Sequence, residues 1–477
     1  MKSIFLVNPI SGRGHLDAYA RLYSRALLEL GYQVVLLAKA DGDTTDYLAR
    51  CNPALGPSFK FMSFDQARTF VPSDPACHTE RSTGTSARSK MSLTQRSRLV
   101  WQDEGLPGIL TQCLRVPRRA LLALIPSSIR HQLGRIERAL GRRLLQTRLA
   151  RALNLPFYFD VGRIRFSDLV ECVHGAISVQ GGPAPDLVFF LYLDLMVEQR
   201  RNIAALDRPG SRPWIGILFH PRLARRPNAD IEGYFKSRNA RGGVFLVPSG
   251  IAAYADATPQ LHFALAPDVA DLEAPTDPSS LARDLRKRAG SRTIVLQIGS
   301  IAAHKGISTL LDVVAAADPD RFFFALIGEV HWESFGQHKG RIRSFYTRPP
   351  ENVHLSQGYI ASERDYNSLI MASDIVYAVY QGFGSSSNSL TKSAGFRRPI
   401  LVSEKSLMGE RVGCANIGAV APEGSAKAIL EKLCWLAAQP KDRFAFDAFS
   451  DQHSVEALKL VLANALPSWF DASAKPD

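Results

Sequence analysis

Cysteine is scarce: the 477 residues contain six, Cys51, Cys77, Cys113, Cys172, Cys414 and Cys434, and no two are spaced as CxxC. That excludes a disulfide framework and a cysteine zinc site, and it fits a reducing, cytoplasmic compartment. Long apolar runs are also missing. No stretch approaches the roughly 20 apolar residues a membrane helix needs, and the run in MKSIFLVNP stops at Asn8, too short for a signal peptide. There is no GxGxxG, no HExxH, and no DxD pair that reads as a loop metal site, so neither a metal nor a bound cofactor is expected. Excess charge is absent from most of the chain. Between Arg81 and Arg151, 15 Lys and Arg stand against three acids, a net +12, beside +13 for the whole protein. The rest is nearly neutral, which argues against the whole chain being a nucleic-acid binder.

The chain is too long for one ordinary core, and its 46% hydrophobic and 22% charged content is that of a globular α/β protein. The first fifty residues read as one β-α-β unit. SIFLVNP is a buried strand, SGRGH a glycine turn, LDAYARLYSRALLELG a helix with apolar positions three and four apart, and YQVVLLAK a second strand. PDLVFFLYLDLM, RPWIGILFHPRL and GVFLVPSGIAAYA read as further strands, followed by a short HFALAPDVADLE. His220 falls at the C-terminal end of its strand, where open parallel sheets place ligands. Either a structural imidazole or a ligand contact fits there.

From about Ser73 to Leu155 the character changes to Pro, Ser, Thr and Arg and then to a basic segment. Ile129, Leu133, Ile136, Leu140 and Leu144 fall on one helical face, with Arg130, Arg135, Arg138 and Arg142 off it. Such a helix suits an anionic membrane surface, where each Lys or Arg contributes about 1 kcal/mol. A helical lid with a solvated basic face fits equally well. Few aromatic residues are present to stack bases, which makes nucleic acid the weaker reading.

Residues 275 to 291 read as a linker and helix, after which strand, glycine turn and helix recur. RTIVLQIGSIAAHKGISTLLDVVAAA starts at Arg292, FFFALIGEV at Phe322 and NVHLSQGYIASERDYNSLIMASDIVYAVY at Asn352; the last is followed by QGFGSSSNSLTKSAGFRRPILVSE. The loop from Gly384 through Ser385, Ser386 and Ser387 enters a helix at Asn388 or Ser389. Two readings of it stand, a Ser-capped helix after a turn or an anion site on free backbone N–H groups.

In order and spacing this succession resembles the nucleotide-sugar glycosyltransferases of the two-domain GT-B fold, particularly the family 4 group. The resemblance is clear over about 120 residues and loose elsewhere. It implies two Rossmann-like domains facing a central cleft, residues 1–275 and 276–450, with a basic helical insertion at about 73–155 in the first and a helix and tail at 451–477 that can cross back. It implies transfer from a nucleotide-sugar donor to a lipid-linked or polysaccharide acceptor, without a metal, by a protein peripheral to the inner membrane. Lys305 and Lys392 would stabilise the leaving diphosphate, alongside Gly299, Ser300, Gly328, Glu329 and the Ser385–Ser389 loop. Gly358 and Tyr359 would hold the base. Gly12, Gly14 and His15 would lie on the acceptor side, with Arg13 near, and His220 would be catalytic with Lys305 and Lys392; Asp194, His220 and His15 are the candidates to activate the acceptor hydroxyl. The sequence departs from the family at three places: Ser300 stands for an Arg, while Gln381 and Lys392 stand for two glutamates seven residues apart. Unless Glu404 or Glu410 replaces them, no carboxylate meets the ribose, which leaves the stereochemistry open. A non-catalytic module of the same fold is the alternative.

Overall fold

The computed structural model describes residues 1–10, 15–68, 164–180, 184–197, 207, 210–219, 231 and 233–471. The chain divides into a main unit, Met1–Val71 with Asp160–Asp477, and the segment Pro72–Phe159. The basic helix expected in that segment lies outside the described residues.

Apolar runs buried on both faces dictate parallel strands sandwiched between helices. The first sheet contains β1 (Ser3–Asn8), β2 (Gln33–Ala38), β3 (Phe59–Ser63), β5 (Leu187–Phe190), β7 (Trp214–Leu218), β8 (Ala240–Phe245) and β9 (His262–Leu265); β4 (Ile164–Arg165) and β6 (Met196–Val197) pair separately. Its order is β3-β2-β1-β5-β7-β8-β9, parallel throughout. Helix α1 (His15–Glu29) links β1 to β2, and Gly31, at φ +85°, supplies the left-handed turn that returns the chain to the sheet.

The second sheet repeats the plan with β10 (Thr293–Ile298), β11 (Phe322–Gly328), β12 (Val353–Gln357), β13 (Ile375–Ala378), β14 (Ile400–Ser403) and β15 (Gly418–Ala421). The order is β12-β11-β10-β13-β14-β15, again all parallel. Helices α2 (Ser280–Ala289), α3 (Ile307–Ala316), α4 (Glu363–Ala372), α5 (Asn388–Gly395) and α6 (Leu407–Ala415) flank it. Two Rossmann-like sheets in one chain are the architecture anticipated from the repeated rhythm.

Two apolar runs break earlier than their composition suggests. PDLVFFLYLDLM leaves the sheet at Phe190, because Tyr192 takes φ +57° and a short turn follows at Leu193–Leu195. GVFLVPSGIAAYA leaves at Phe245, and Gly250, at φ +98°, starts the helix Ile251–Ala257. At the end of the chain, α7 (Phe446–Gln452) leads into α8 (Val455–Phe470), which packs on the first sheet. Leu458, Leu462, Ala465, Leu466 and Trp469 form its buried stripe, and the Trp469 indole donates to the His262 carbonyl at 2.9 Å.

Between β9 and α2 the chain passes from one sheet to the other under tight restraint. From the first sheet's side, Tyr19 donates to the Asp268 carboxylate at 2.6 Å, and Arg21 grips Asp271 through Nε and Nη2 at 3.2 and 2.9 Å. From the second, Thr391 donates to the Asp268 carbonyl at 2.7 Å and Asn367 to the Asp271 carbonyl at 3.1 Å. Asp268 and Asp271 are each 3% exposed, so this crossing is fixed by charge-assisted bonds away from water.

Candidate functional site

In a sheet of this order, the loops leaving β10 and β13 diverge to opposite faces and open a crevice at the C-terminal ends of the strands. Three left-handed glycines bring the neighbouring loops together there. Gly299 has φ +98°, Gly328 +148° and Gly358 +150°. A Cβ on Gly328 would lie 1.6 Å from the Gly299 carbonyl oxygen, so no side chain fits. Gly358 donates its N–H to the Gly328 carbonyl at 3.1 Å, extending the stack to the loop after β12. Ser300 is half-buried, Glu329 is exposed with its carbonyl accepting from Ile301 N–H at 2.8 Å, and Tyr359 is exposed.

Gly306, at φ +70°, lets the turn after β10 meet the end of β13, since a Cβ there would be 2.3 Å from the Val379 carbonyl. That contact sets Lys305 beside Tyr380, with its ammonium 3.6 Å from the ring centroid. The Ser387 side chain caps α5, accepting from Ser389 N–H at 3.4 Å. Gly384 is exposed, Ser385, Ser386, Ser387 and Asn388 are half-buried, and Ser389 is buried. Ser389 and Ser387 favour the ionised form of the Tyr380 phenol, and Ser389 does the same for Tyr366, whose hydroxyl faces Gly299. Lys305, Gly299, Ser387 and Ser389, all singled out in the sequence, are thus joined by Tyr366 and Tyr380, which were not. Burial pushes the Tyr380 phenol up, but the Lys305 ammonium and the two serine hydroxyls outweigh it and leave the phenol below its ordinary value. Tyr366, held up chiefly by burial, lies above its own.

Lys392 meets this group only at the Tyr366 ring, whose centroid is 5.2 Å from its ammonium. Its side chain is 1% exposed, and its ammonium donates to the Glu363 carboxylate at 2.6 Å, the Asp271 carbonyl at 2.8 Å and the Asn367 side-chain oxygen. An ammonium has three N–H donors, and three acceptors occupy them here, so the diphosphate contact expected of Lys392 is not available in this structure. Glu363 is the carboxylate drawn to this position, whereas Glu404 and Glu410 are exposed. Gln381 donates from its amide to the Thr309 hydroxyl at 3.2 Å and from its backbone to the His304 carbonyl at 2.7 Å. Behind it lies a cavity of about 220 Å³, lined by Ala303, Ser308, Thr309, Phe335, His338 and Gln381.

A second cation, unremarkable in sequence, does reach the serine loop. Arg411, on α6, donates to the Ser386 hydroxyl at 2.7 Å and to the Leu246 carbonyl at 2.9 Å, just beyond β8 of the first sheet. It also lies 3.7 Å from the Asp268 carboxylate. His453, beyond α7, accepts the Asp268 N–H at 3.1 Å through Nδ1. Burial first, and the Arg411 charge second, push this imidazole from 6.5 down to about 4.

Gly12, Arg13, Gly14 and His220 lie outside the described residues, and His15 opens α1. Asp194 is half-buried in the turn after β5, two residues beyond Tyr192, whose ring stacks on Phe219 at 4.6 Å. Among the described residues, no group of three or more His, Cys, Asp and Glu could hold a metal ion.

Neither a protein-family model nor a curated protein sequence matches this chain. Solved structures do. Sucrose-phosphate synthase from Thermosynechococcus elongatus superposes with a TM-score of 0.54 at 14% identity, covering 98% of this chain and 97% of that one. Anabaena HepE, solved in complex with UDP and glucose, gives 0.52 at 11% identity over 98% and 100%. A Rickettsia africae glycosyltransferase gives 0.51 at 10% identity over 99% and 98%. The chain has the GT-B fold. Such low identity establishes the architecture alone, and within that GT-B architecture the crevice of the second sheet is where Lys305 and the capped start of α5 converge.

Proposed function

We propose that this GT-B protein is a glycosyltransferase that takes its sugar from a nucleoside diphosphate sugar. The observation that carries the reading is the convergence of Lys305 with the Ser385–Ser389 loop and the start of α5 at the switch point of the second sheet. A helix start offers unpaired N–H groups and the positive end of a dipole, and Lys305 adds a full charge. When the bond between sugar and phosphate breaks, the departing diphosphate gains negative charge. Groups fixed in advance around it stabilise that charge more in the transition state than in the bound donor. This needs no metal, and we read the transfer as metal-independent. HepE, whose structure holds UDP and glucose, supports a nucleotide-sugar donor by likeness of fold.

We further read the acceptor as lipid-linked or a growing polysaccharide, met at the cytoplasmic membrane face. The support is the net +12 between Arg81 and Arg151, which suits an anionic lipid surface. Asp194, His15 and His220 are the side chains nominated to meet the acceptor hydroxyl, and a front-face displacement would need none of them as a base.

The test is calorimetry with UDP and GDP, followed by assay of nucleoside diphosphate release from UDP- and GDP-sugars with and without a chelator. Saturation at 100 times the dissociation constant should stabilise the fold by about 2.7 kcal/mol. Failure to bind either diphosphate would sink the reading. Binding without release of sugar, whatever acceptor is offered, would leave a non-catalytic module. Sedimentation with anionic vesicles, compared before and after deletion of residues 82–149, tests the membrane face, and indifference to vesicles at low salt removes it.

A further inference from the structure

We infer that Tyr380 is a positioning residue of the donor-diphosphate site: its ring seats the Lys305 ammonium while its hydroxyl sets the first turn of α5. This rests on the functional reading above. The side chain is 2% exposed, and its backbone is pinned at both ends, with Tyr380 N–H donating to the Ala378 carbonyl at 2.9 Å and the Ser403 hydroxyl donating to the Tyr380 carbonyl. The ring is therefore a fixed platform. Lys305 stands 3.6 Å over its centroid, Phe383 meets it edge-on at 5.4 Å, and His304 lies 6.5 Å away. A cation over an aromatic face is held by the ring quadrupole without being neutralised, so its charge remains available to an anion.

The hydroxyl lies toward the cap. Ser387, whose Oγ accepts from Ser389 N–H, and Ser389, which also acts on Tyr366, both favour the ionised Tyr380 oxygen. One side chain thus fixes both sources of positive potential at the crevice. The titratable and charged groups around it are Lys305 and His304 from the turn after β10, Tyr366 from α4 and Tyr377 from β13. Burial holds Tyr366 and Tyr377 up, whereas Tyr380 is drawn down. Packing alone would not separate it from those neighbours. A phenolate at this point would oppose a diphosphate, so ionisation of Tyr380 and binding of a nucleoside diphosphate should compete.

The experiment compares Tyr380→Phe with the full-length parent by calorimetry against UDP, GDP, uridine and guanosine, and by following tyrosinate absorbance through an alkaline titration. Phenylalanine keeps the ring and removes the hydroxyl. Diphosphate affinity should fall about tenfold while nucleoside affinity stays within about twofold. The tyrosinate step at lowest pH should vanish, and in the parent it should move to higher pH on saturation with the diphosphate. Ser389→Ala, which removes one hydroxyl from the phenol, should move that step up and gives the same answer if Tyr380→Phe does not fold. Equal losses for diphosphate and nucleoside, or a lowest step indifferent to ligand, would overturn the assignment while leaving the functional reading intact. If the parent binds neither diphosphate, both fall together.

Discussion

Lys305 and Lys392 stand in equivalent passages of the second sheet, each near the start of a helix that follows a strand, yet the structure puts them to opposite uses. Lys305 is half-buried and rests on the Tyr380 ring; among the described residues no carboxylate pairs with it. Lys392 is 1% exposed and its three donors meet Glu363, Asn367 and the Asp271 carbonyl. A lysine on an aromatic face keeps its field, whereas one surrounded by acceptors has given its field to the fold. The first is suited to a ligand. The second ties α4, α5 and the crossing between the two sheets into one body.

The sharpest way to break this contrast is Lys392→Met. It leaves the Glu363 carboxylate without its cation, and removing one partner of a buried pair costs about 3–5 kcal/mol. Thermal unfolding should show a large drop in Tm, much of it recovered when Glu363→Gln is added, because the orphaned charge is then gone. A variant that keeps the parental Tm but loses nucleoside diphosphate affinity would return Lys392 to the donor site. Next in size is Lys305→Ala. Loss of a charged contact to phosphate should weaken UDP or GDP binding roughly ten- to a hundredfold, with little change for the nucleoside and little change in Tm. Equal weakening for both ligands would make Lys305 structural, and no weakening would remove it from the site.

This contrast marks how far the sequence could be read. The strand, glycine-turn and helix rhythm at Arg292 was legible because buried parallel strands leave long apolar runs and left-handed turns demand glycine, as Gly299, Gly306 and Gly328 do. The helix start at Asn388 was legible from its serine cap. Tyr192 was not, because nothing local announces that a tyrosine will take φ +57° and end an apolar strand. Lys392 misled because its partner Glu363 lies 29 residues away and is a neighbour only in the fold. Tyr380 was passed over because an aromatic residue in an apolar strand reads as core, and it is buried there; Tyr366, in the polar run ERDYNS, gave no local signal and packs against that core half-buried. Their hydroxyl partners become visible only once α5 is in place. Arg411 shared that fate, since its bonds run to Ser386 and, across the sheets, to Leu246.

Arg411→Lys sharpens the comparison with a third cation. The planar fork donates to Ser386 and Leu246 at 2.7 and 2.9 Å, and a lysine ammonium cannot span both in that geometry. The expected loss is about 1–2 kcal/mol in stability, together with weaker nucleoside diphosphate binding because Ser386 loses its anchor. Hydrogen exchange at the 385–389 amides should rise in the variant. Unchanged exchange there would mean that the serine loop holds its shape without Arg411, and the link between the sheets would then be confined to the crossing segment.

The smallest effect is expected at His453, and only in acid. In the folded protein this imidazole stays neutral down to about 4 because burial and the Arg411 charge oppose protonation, whereas the unfolded chain accepts the proton near 6.5. Between those values the unfolded state binds more protons, so stability falls as the pH drops from 6.5 through 4 and is unaffected above. Protonation of Nδ1 also removes the acceptor for the Asp268 N–H and sets a second positive charge beside Arg411. His453→Gln keeps an acceptor and has no proton to take up. Losing the imidazole stacked on Phe449 at 4.2 Å should cost a fixed amount, about 1 kcal/mol, at pH 8, and the stability should decline less steeply than the parent's between pH 6.5 and 4. Parallel acid limbs in the two proteins would show that the crossing around Asp268 tolerates a charged His453, and that Arg411 does not sense it.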